Sequence, residues 1–409
     1  MRSSFGKTSD IKSSICGVFV SLKTNFSAVS AGLSRIIVSV LVIATTFLSP
    51  DLLGKETEGE IKIASYRLQN LSFEQIQKVA RYFEIKPIKE AGSGQIGFLA
   101  FVPEGKTELF FSLAPRAVLM ESDVSRISRQ AFVESRSRVQ PGGGGYHSYD
   151  EVQNILSQIA KANPGLAQLV QYGTSQNKKP LWALRVSKHL ADGRLVPRVL
   201  LTAATHGDEI ITTEILLSLI ASYVNGSLSD PRFANFIENL EVDFIPVVNP
   251  DGFVRQNRYD NGEDPNRSFP FPDQPNQKPT ASTQAIINFT QQYPIAGSID
   301  FHAYGRLVMY PWGYTHSPIL ASDKVAFDSV TAKMAGSNGS VYGPIADVIY
   351  VAQGSSADYY YWKQHAFSLG IEVGDSKAPR VSEIPAYIKD QAESTWIFLG
   401  SFLPKAKWH

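Results

Sequence analysis

The sequence predicts an α/β fold: a mixed, mostly parallel twisted sheet flanked by helices on both faces, preceded by a small α+β unit. Two patterns carry this expectation. From Tyr146 onward, short apolar runs alternate with longer stretches of helical periodicity, the order that builds a sheet covered by helices. Ahead of that region lies Glu134-Ser135-Arg136-Ser137-Arg138-Val139-Gln140-Pro141, followed by Gly142 to Gly145. Such basic, small-residue chain running into glycine reads as an exposed linker and a site of proteolysis between two folded units.

The first 53 residues read as an address. Arg2, Lys7, Lys12, Lys23 and Arg35 precede the apolar run 36–48, IIVSVLVIATTFL, which is closed by Ser49-Pro50-Asp51. That run suits a signal-peptide core better than a membrane-spanning helix, which needs about 20 residues. The long basic region before it leaves an uncleaved N-terminal anchor as the alternative. Either way the protein is expected to be exported, as a secreted or periplasmic enzyme or one anchored by its N-terminus. Cys16, the single cysteine, falls in this segment, so the remainder has no disulfide and no thiolate metal ligand.

Residues 54–138 are expected to form the small unit and linker. A strand is predicted over 61–68 and a helix over 72–83, started by the capping-box pair Ser72 and Gln75. Two further strand-like runs, 96–102 and 108–113, are split by Pro103-Glu104-Gly105, and 122–133 reads as a helix. In the second unit, residues 139–409, strands are predicted near 182–186, 199–204, 242–248, 296–301 and 367–373. Helices are predicted near 149–163, 211–224, 283–293, 322–336 and 382–403. A net charge of +1 offers nothing to a nucleic acid.

In open α/β sheets ligands bind beyond the carboxyl ends of the strands. His206 and Glu209 follow one predicted strand there, and His302 ends another. Two imidazoles and a carboxylate are the donors of a catalytic zinc, which keeps a fourth position open. By itself His-x-x-Glu is a common chance match; the stretches that follow it in order make the pattern specific. They are Asn249-Pro250-Asp251-Gly252, Arg255-Gln256-Asn257-Arg258, Asp264-Pro265-Asn266-Arg267, His302-Ala303-Tyr304 leading into Tyr310-Pro311-Trp312-Gly313-Tyr314, the run from Ile349 to Asp358, and Ile371-Glu372. Together these resemble the zinc carboxypeptidases of the A, B and T type, over the chain from Tyr146 to its end.

The resemblance implies a role for each matching position. His206, Glu209 and His302 would hold one Zn²⁺ per chain. Glu372 would be the general base that takes a proton from the attacking water and passes it to the leaving amine. Arg258 would stabilise the oxyanion, and Arg255 would line an adjoining subsite or simply be solvated. Asn266 and Arg267 would grip the terminal carboxylate, for which a planar guanidinium is suited. Asp264 would accept a hydrogen bond from the far nitrogen of His206. Tyr350 would swing over the bound terminal residue.

The pocket for the terminal side chain would include Met309, Gly313, Ile345, Ala352, Ser355, Ala357 and Gly370. Ala357 at its base points to an apolar or aromatic residue; Asp300, if it faces the pocket, would favour a basic one. The small N-terminal unit resembles the activation segment of secreted carboxypeptidases, removed by a protease near Arg136 or Arg138 from what is expected to be a monomer. Its bland reading is a folding aid. Against this reading stand a carboxypeptidase of cell-wall peptides with the same fold, a catalytically dead binding protein, and a deacylase of related fold. The dead protein would have lost a ligand, Glu372 or Arg258, and all are present.

Overall fold

The computed structural model describes residues 62–89, 96–124, 126, 130, 145–226 and 230–404. The apolar run 36–48, the linker with Arg136 and Arg138, and most of the helix expected over 122–133 lie outside them. Everything below belongs to one compact unit, Lys55–His409.

The small N-terminal part runs β1 (Ile63–Leu68), α1 (Phe73–Ala80), β2 (Glu84–Lys89), β3 (Ile96–Pro103), α2 (Thr107–Leu113) and β4 (Val118–Glu121). Its four strands form an antiparallel sheet in the order β2-β3-β1-β4. The capping box of α1 forms as expected: Ser72 Oγ accepts from Gln75 N at 3.3 Å and Gln75 Oε1 accepts from Ser72 N at 2.8 Å. One expectation fails and one strand was not foreseen. The run 108–113 is the helix α2, not a strand: its apolar residues serve to bury Phe110 against Phe83 and Tyr66, a single-sided contact that one helical turn satisfies. Strand β2 had no counterpart in the predicted elements, because Pro87 interrupts it. Proline lacks the N–H a central strand needs and is tolerated at an edge, and β2 is the sheet edge.

The large part adds α3 (Tyr149–Ala162), β5 (Ala167–Thr174), β6 (Pro180–Val186), β7 (Arg198–Ala203), α4 (Ile210–Gly226), α5 (Pro231–Asn239), β8 (Glu241–Ile245) and α6 (Pro250–Arg255). There follow α7 (Ala281–Gln292), β9 (Gly297–Ala303), β10 (Leu307–Tyr310), α8 (Ala321–Asn338), β11 (Val341–Pro344), α9 (Ile345–Val348), α10 (Ser356–Gln364), β12 (Phe367–Val373) and α11 (Ile384–Gly400). The eight strands order as β11-β10-β12-β9-β7-β8-β6-β5. The central four, β12-β9-β7-β8, are parallel, and antiparallel neighbours flank them. The expected mixed sheet is therefore present; β5, β10 and β11 were not anticipated. Helix α4 is apolar around its circumference, with Ile211, Ile215, Leu216, Ile220 and Tyr223 wholly buried, as a helix enclosed on all sides must be.

Register brings the chemistry to one edge. Along the β9/β12 pair His302 stands directly opposite Glu372. Strand β7, next to β9, ends at Ala203, and the chain then turns through Ala204 (φ 47°) into His206-Gly207-Asp208-Glu209 and the start of α4. That turn has no room to spare: a Cβ on Gly207 would lie 2.1 Å from the Gly252 carbonyl carbon and 2.2 Å from Phe253 N. Those neighbours are backbone and cannot swing aside. Gly207→Ala should therefore cost about 2 kcal/mol or more of folding stability, the scale of a forced overpacking, and displace His206 or Glu209. Urea unfolding together with the zinc content of the purified variant would check both effects.

Candidate metal centre and active site

His206 Nδ1 lies 2.9 Å from Glu209 Oε1, His302 Nδ1 lies 3.0 Å from Glu209 Oε2, and the two Nδ1 atoms are 3.1 Å apart. All three residues are buried. The far nitrogens are both spoken for by carboxylates: His206 Nε2 by Asp264 Oδ1 at 3.1 Å and His302 Nε2 by Asp300 Oδ2 at 3.0 Å. An ionised carboxylate only accepts, so each ring carries its proton on Nε2 and turns the Nδ1 lone pair to the centre. Two ring nitrogens and the Glu209 carboxylate, one oxygen towards each ring, thus converge on one region. Their spacing is close to the roughly 3.3 Å edge of a tetrahedron around zinc with bonds near 2.0–2.1 Å, so the donor set fits that ion.

Asp264 organises the surroundings. Besides His206 it accepts from Asn266 N at 2.9 Å, which starts the short 3₁₀ turn Pro265–Arg267, and its Oδ2 takes Arg258 Nε and Nη2 at 3.0 and 2.8 Å. Burial pushes its pKa up, but Arg258 and His206 outweigh that and hold it well below the usual carboxylate range. Arg258 Nη1 points at the same centre, 3.1 Å from His206 Nδ1 and 3.6 Å from Glu209 Oε1.

A cavity of about 270 Å³ opens beside these residues. Arg258, Asn266, Arg267, Tyr350 and Glu372 line it, and so do Met309, Ile345, Ala352, Ser355, Ala357 and Gly370. Arg267 Nη2 donates to the Tyr350 hydroxyl at 2.9 Å, so the tyrosine lies folded over the guanidinium. The Asn266 amide stands between Ser356 N, from which its Oδ1 accepts at 2.9 Å, and the outer nitrogen of His302 at 3.2 Å.

Gly313, expected in the pocket, lies elsewhere, and so do Asp300 and Arg255, whose places the sequence left open. Asp300 is two residues from His302 on β9, hence on the same face but one layer deeper. There it accepts from Thr202 and Thr205 hydroxyls at 2.9 and 2.8 Å and from Ser356 Oγ at 2.8 Å while holding the His302 ring. It supports a ligand and does not line the cavity, which removes the one feature that favoured a basic or diaminopimelate end. Gly313 also leaves the wall, because its N–H is turned to Asp358 Oδ1 at 2.8 Å. Arg255 bonds Asn261 Oδ1 at 3.1 Å: left-handed Gln256 (φ 51°) reverses the chain between Arg255 and Arg258 and sends the two apart.

Other residues at the site were missed from sequence. Asp358, buried below Ala357, is pushed up to about 7 by burial, against the opposing pull of the Gly313 and Tyr314 N–H groups. Glu84 and Lys86, from the N-terminal part, both line the cavity. Glu84 Oε2 is 3.1 Å from Arg258 Nη1 and 3.2 Å from Lys377 Nζ. Burial would raise its pKa, yet Arg258, Lys377 and Lys86 bring it down to about 2. Lys86 Nζ is 3.4 Å from Glu372 Oε2 and 3.1 Å from the Tyr304 carbonyl. Ile85 between them joins one apolar cluster with Met309, Ile345, Tyr350, Ala352 and Ala357. A strand unrecognised in the sequence could not direct attention to its side chains.

The profile of the zinc carboxypeptidase family matches residues 152–394. A zinc carboxypeptidase of Saccharothrix mutabilis subsp. capreolus is 27% identical over 296 residues, covering 62% of this chain and 67% of that protein. Carboxypeptidase A2 of Mus musculus is 26% identical over 303 residues, covering 65% and 71%. In fold the chain is similar to the carboxypeptidase A structure from Helicoverpa armigera, with TM-score 0.66, 20% identity, and coverage of 85% of this chain and 99% of that one. The structure of thrombin activatable fibrinolysis inhibitor gives TM-score 0.65 at 17% identity, covering 84% and 99%. With matched residues spanning more than half its length and the family's donor set assembled at the strand ends, this chain belongs to the zinc carboxypeptidase family, a metallocarboxypeptidase with zinc as its cofactor.

Proposed function

We propose that the protein removes single residues from the C-termini of peptides or proteins, and that it is made as an exported precursor silenced by its own residues 54–138. The observation that carries the reading is the Arg267–Tyr350 pair beside the metal ligands. Beyond the metal ligands the cavity meets Arg267 and Tyr350, bonded to each other, and an apolar wall. A guanidinium at that place suits the free carboxylate of a chain terminus.

Arg267 grips the terminal carboxylate with its planar fork, and Asn266 supports it. The Tyr350 ring covers the terminal residue and excludes water. Met309, Ile345, Ala352, Ala357 and Gly370 offer that residue an apolar pocket without a charge at its wall. Zinc, when bound, polarises the scissile carbonyl and lowers the pKa of the attacking water toward about 7. Arg258 places its guanidinium where negative charge builds on the carbonyl oxygen. Glu372 takes the proton of the attacking water and delivers it to the leaving amine. The run 36–48 supports export, and the basic stretch with Arg136 and Arg138 running into glycines supports activation by a protease there, releasing what we propose to be a monomer.

Silencing follows from what β2 places in the cleft. Glu84 sits on Arg258, where the substrate carbonyl belongs, and Lys86 occupies Glu372. Glu84 has a folded pKa of about 2 against its ordinary 4.5, so its hold is complete above pH 4.5 and is lost as pH falls toward 2. The intact chain should therefore stay silent from pH 8 to 5. Replacing both charges, Glu84→Gln with Lys86→Ala, should raise turnover of a Phe-ended peptide by the uncleaved chain at pH 7 at least about tenfold, since each cross-cleft pair then loses one partner and leaves a buried charge unpaired beneath the covering strand.

Two further measurements test the chemistry. Glu372→Gln should keep its zinc and lose about 3 kcal/mol or more of transition-state stabilisation, the scale of a missing acid–base group; retained turnover would contradict the role. Mass spectrometry on peptides ending in Phe, Leu, Lys, Arg and Glu should show chelator-sensitive release, with Phe and Leu preferred over Lys and Arg by about 100-fold. A preference for Lys or Arg would contradict the pocket described.

A further inference from the structure

Besides its strand neighbour Lys86 at 3.7 Å, the Glu84 carboxylate has two cationic partners across the cleft, and only one of those belongs to the machinery above. Lys377 Nζ, 3.2 Å from Glu84 Oε2, takes no part in the proposed reaction and does not line the cavity. It is nonetheless held with care. Its carbonyl accepts from Ile211 N at 3.1 Å, just inside α4, and its ammonium donates to Asp208 Oδ2 at 2.8 Å. Both anchors flank Glu209, whose Oε1 is 3.9 Å from the same ammonium. The lysine is thus fixed to the chain that carries two of the metal ligands, with its side chain only 16% exposed beneath β2.

Removing β2 takes Glu84 and Lys86 away together. Arg258 keeps its bidentate partner Asp264, and Lys377 keeps Asp208. What is lost from between them is a carboxylate bridging two donors, and the bared space keeps both donors aimed at it. The Glu84 carboxylate stands in there for a substrate group. Arg267 and Tyr350 hold the terminal residue inside the cavity, and Arg258 marks the scissile carbonyl. Lys377, which does not line the cavity, meets the Arg258-bound carboxylate from outside it; with the terminal residue filling the cavity, that outside is the side left to the residues upstream of the scissile bond.

Resting on the carboxypeptidase reading, we propose that Lys377 is a specificity-determining residue that binds a carboxylate on the residue immediately upstream of the scissile bond. Two substrates carry such a group: a peptide with Glu or Asp as its penultimate residue, and a glutamyl residue joined through its γ-carboxyl, which leaves its α-carboxylate free. Asp208 holds the ammonium in place and limits the attraction for chains without that charge.

The test uses the zinc-loaded full chain after limited trypsin treatment. It compares kcat/KM for acetyl-Ala-Glu-Phe and acetyl-Ala-Gln-Phe, and for acetyl-γ-glutamyl-Phe with and without amidation of its α-carboxylate. A charge-assisted contact predicts about tenfold faster cleavage of the carboxylate member of at least one pair, carried by KM. The pair that shows it identifies the source. Lys377→Met should bring that ratio to about one, and Lys377→Arg should retain it. Release of Phe from the Gln peptide reports the carboxypeptidase reading separately. That release with both ratios near one, or with a ratio indifferent to Lys377→Met, overturns this inference alone, and no release from any of the four peptides overturns both.

Discussion

Two buried ring nitrogens 3.1 Å apart, each about 3 Å from one oxygen of the same buried carboxylate, repel unless positive charge lies among them, and the rest of the structure depends on that constraint. Holding two imidazoles with their lone pairs inward requires that each outer N–H be bound, and Asp264 and Asp300 do this. Each of those carboxylates must in turn be satisfied. Asp300 takes three hydroxyls from β7, the turn after it and α10; Asp264 takes Arg258 and starts the turn that presents Asn266 and Arg267. Asn266 and Arg267 are thereby tied to the ligands through one intermediate group. The parallel strands β7, β9 and β12 make this possible, because their register delivers His206, His302 and Glu372 to a single edge.

Beyond the ligands the cleft continues as alternating charge. Asp264, Arg258, Glu84, Lys377 and Asp208 follow one another, and Lys86 meets Glu372 alongside. Buried ions are costly unless each is paired, so the covering strand must supply charges complementary to those of the cleft. It does so at two positions of one face of β2. The apolar contact of Ile85 with the pocket wall adds area without direction, while the two charges fix the register of the strand over the site.

The parallel core of the sheet was legible because its strands are buried on both faces and read as apolar runs: β7, β9 and β12 were placed within two residues. The metal ligands, and the placement of Glu372 beside them, were legible because the chemistry admits few residue types. Edge strands were not. Strand β2 contains Pro87 and β11 is Val-Tyr-Gly-Pro, patterns that period-two alternation does not flag. Asp300 was ambiguous because its side chain's depth below the sheet edge depends on how far β9 extends past β7, and sequence spacing does not set that. Glu84, Lys86 and Lys377 were invisible for a plainer reason. Their partners are more than a hundred residues away, and only the packing of the small unit on the cleft brings them within 3.5 Å.

The most direct test is the zinc absorption-edge spectrum of the full chain, with metal content measured on the same sample. The account predicts one zinc per chain, bound by two imidazole nitrogens and a carboxylate at about 2.0–2.2 Å with one lighter exchangeable neighbour. Failure to retain zinc, or a shell of oxygen atoms without imidazole, would contradict it.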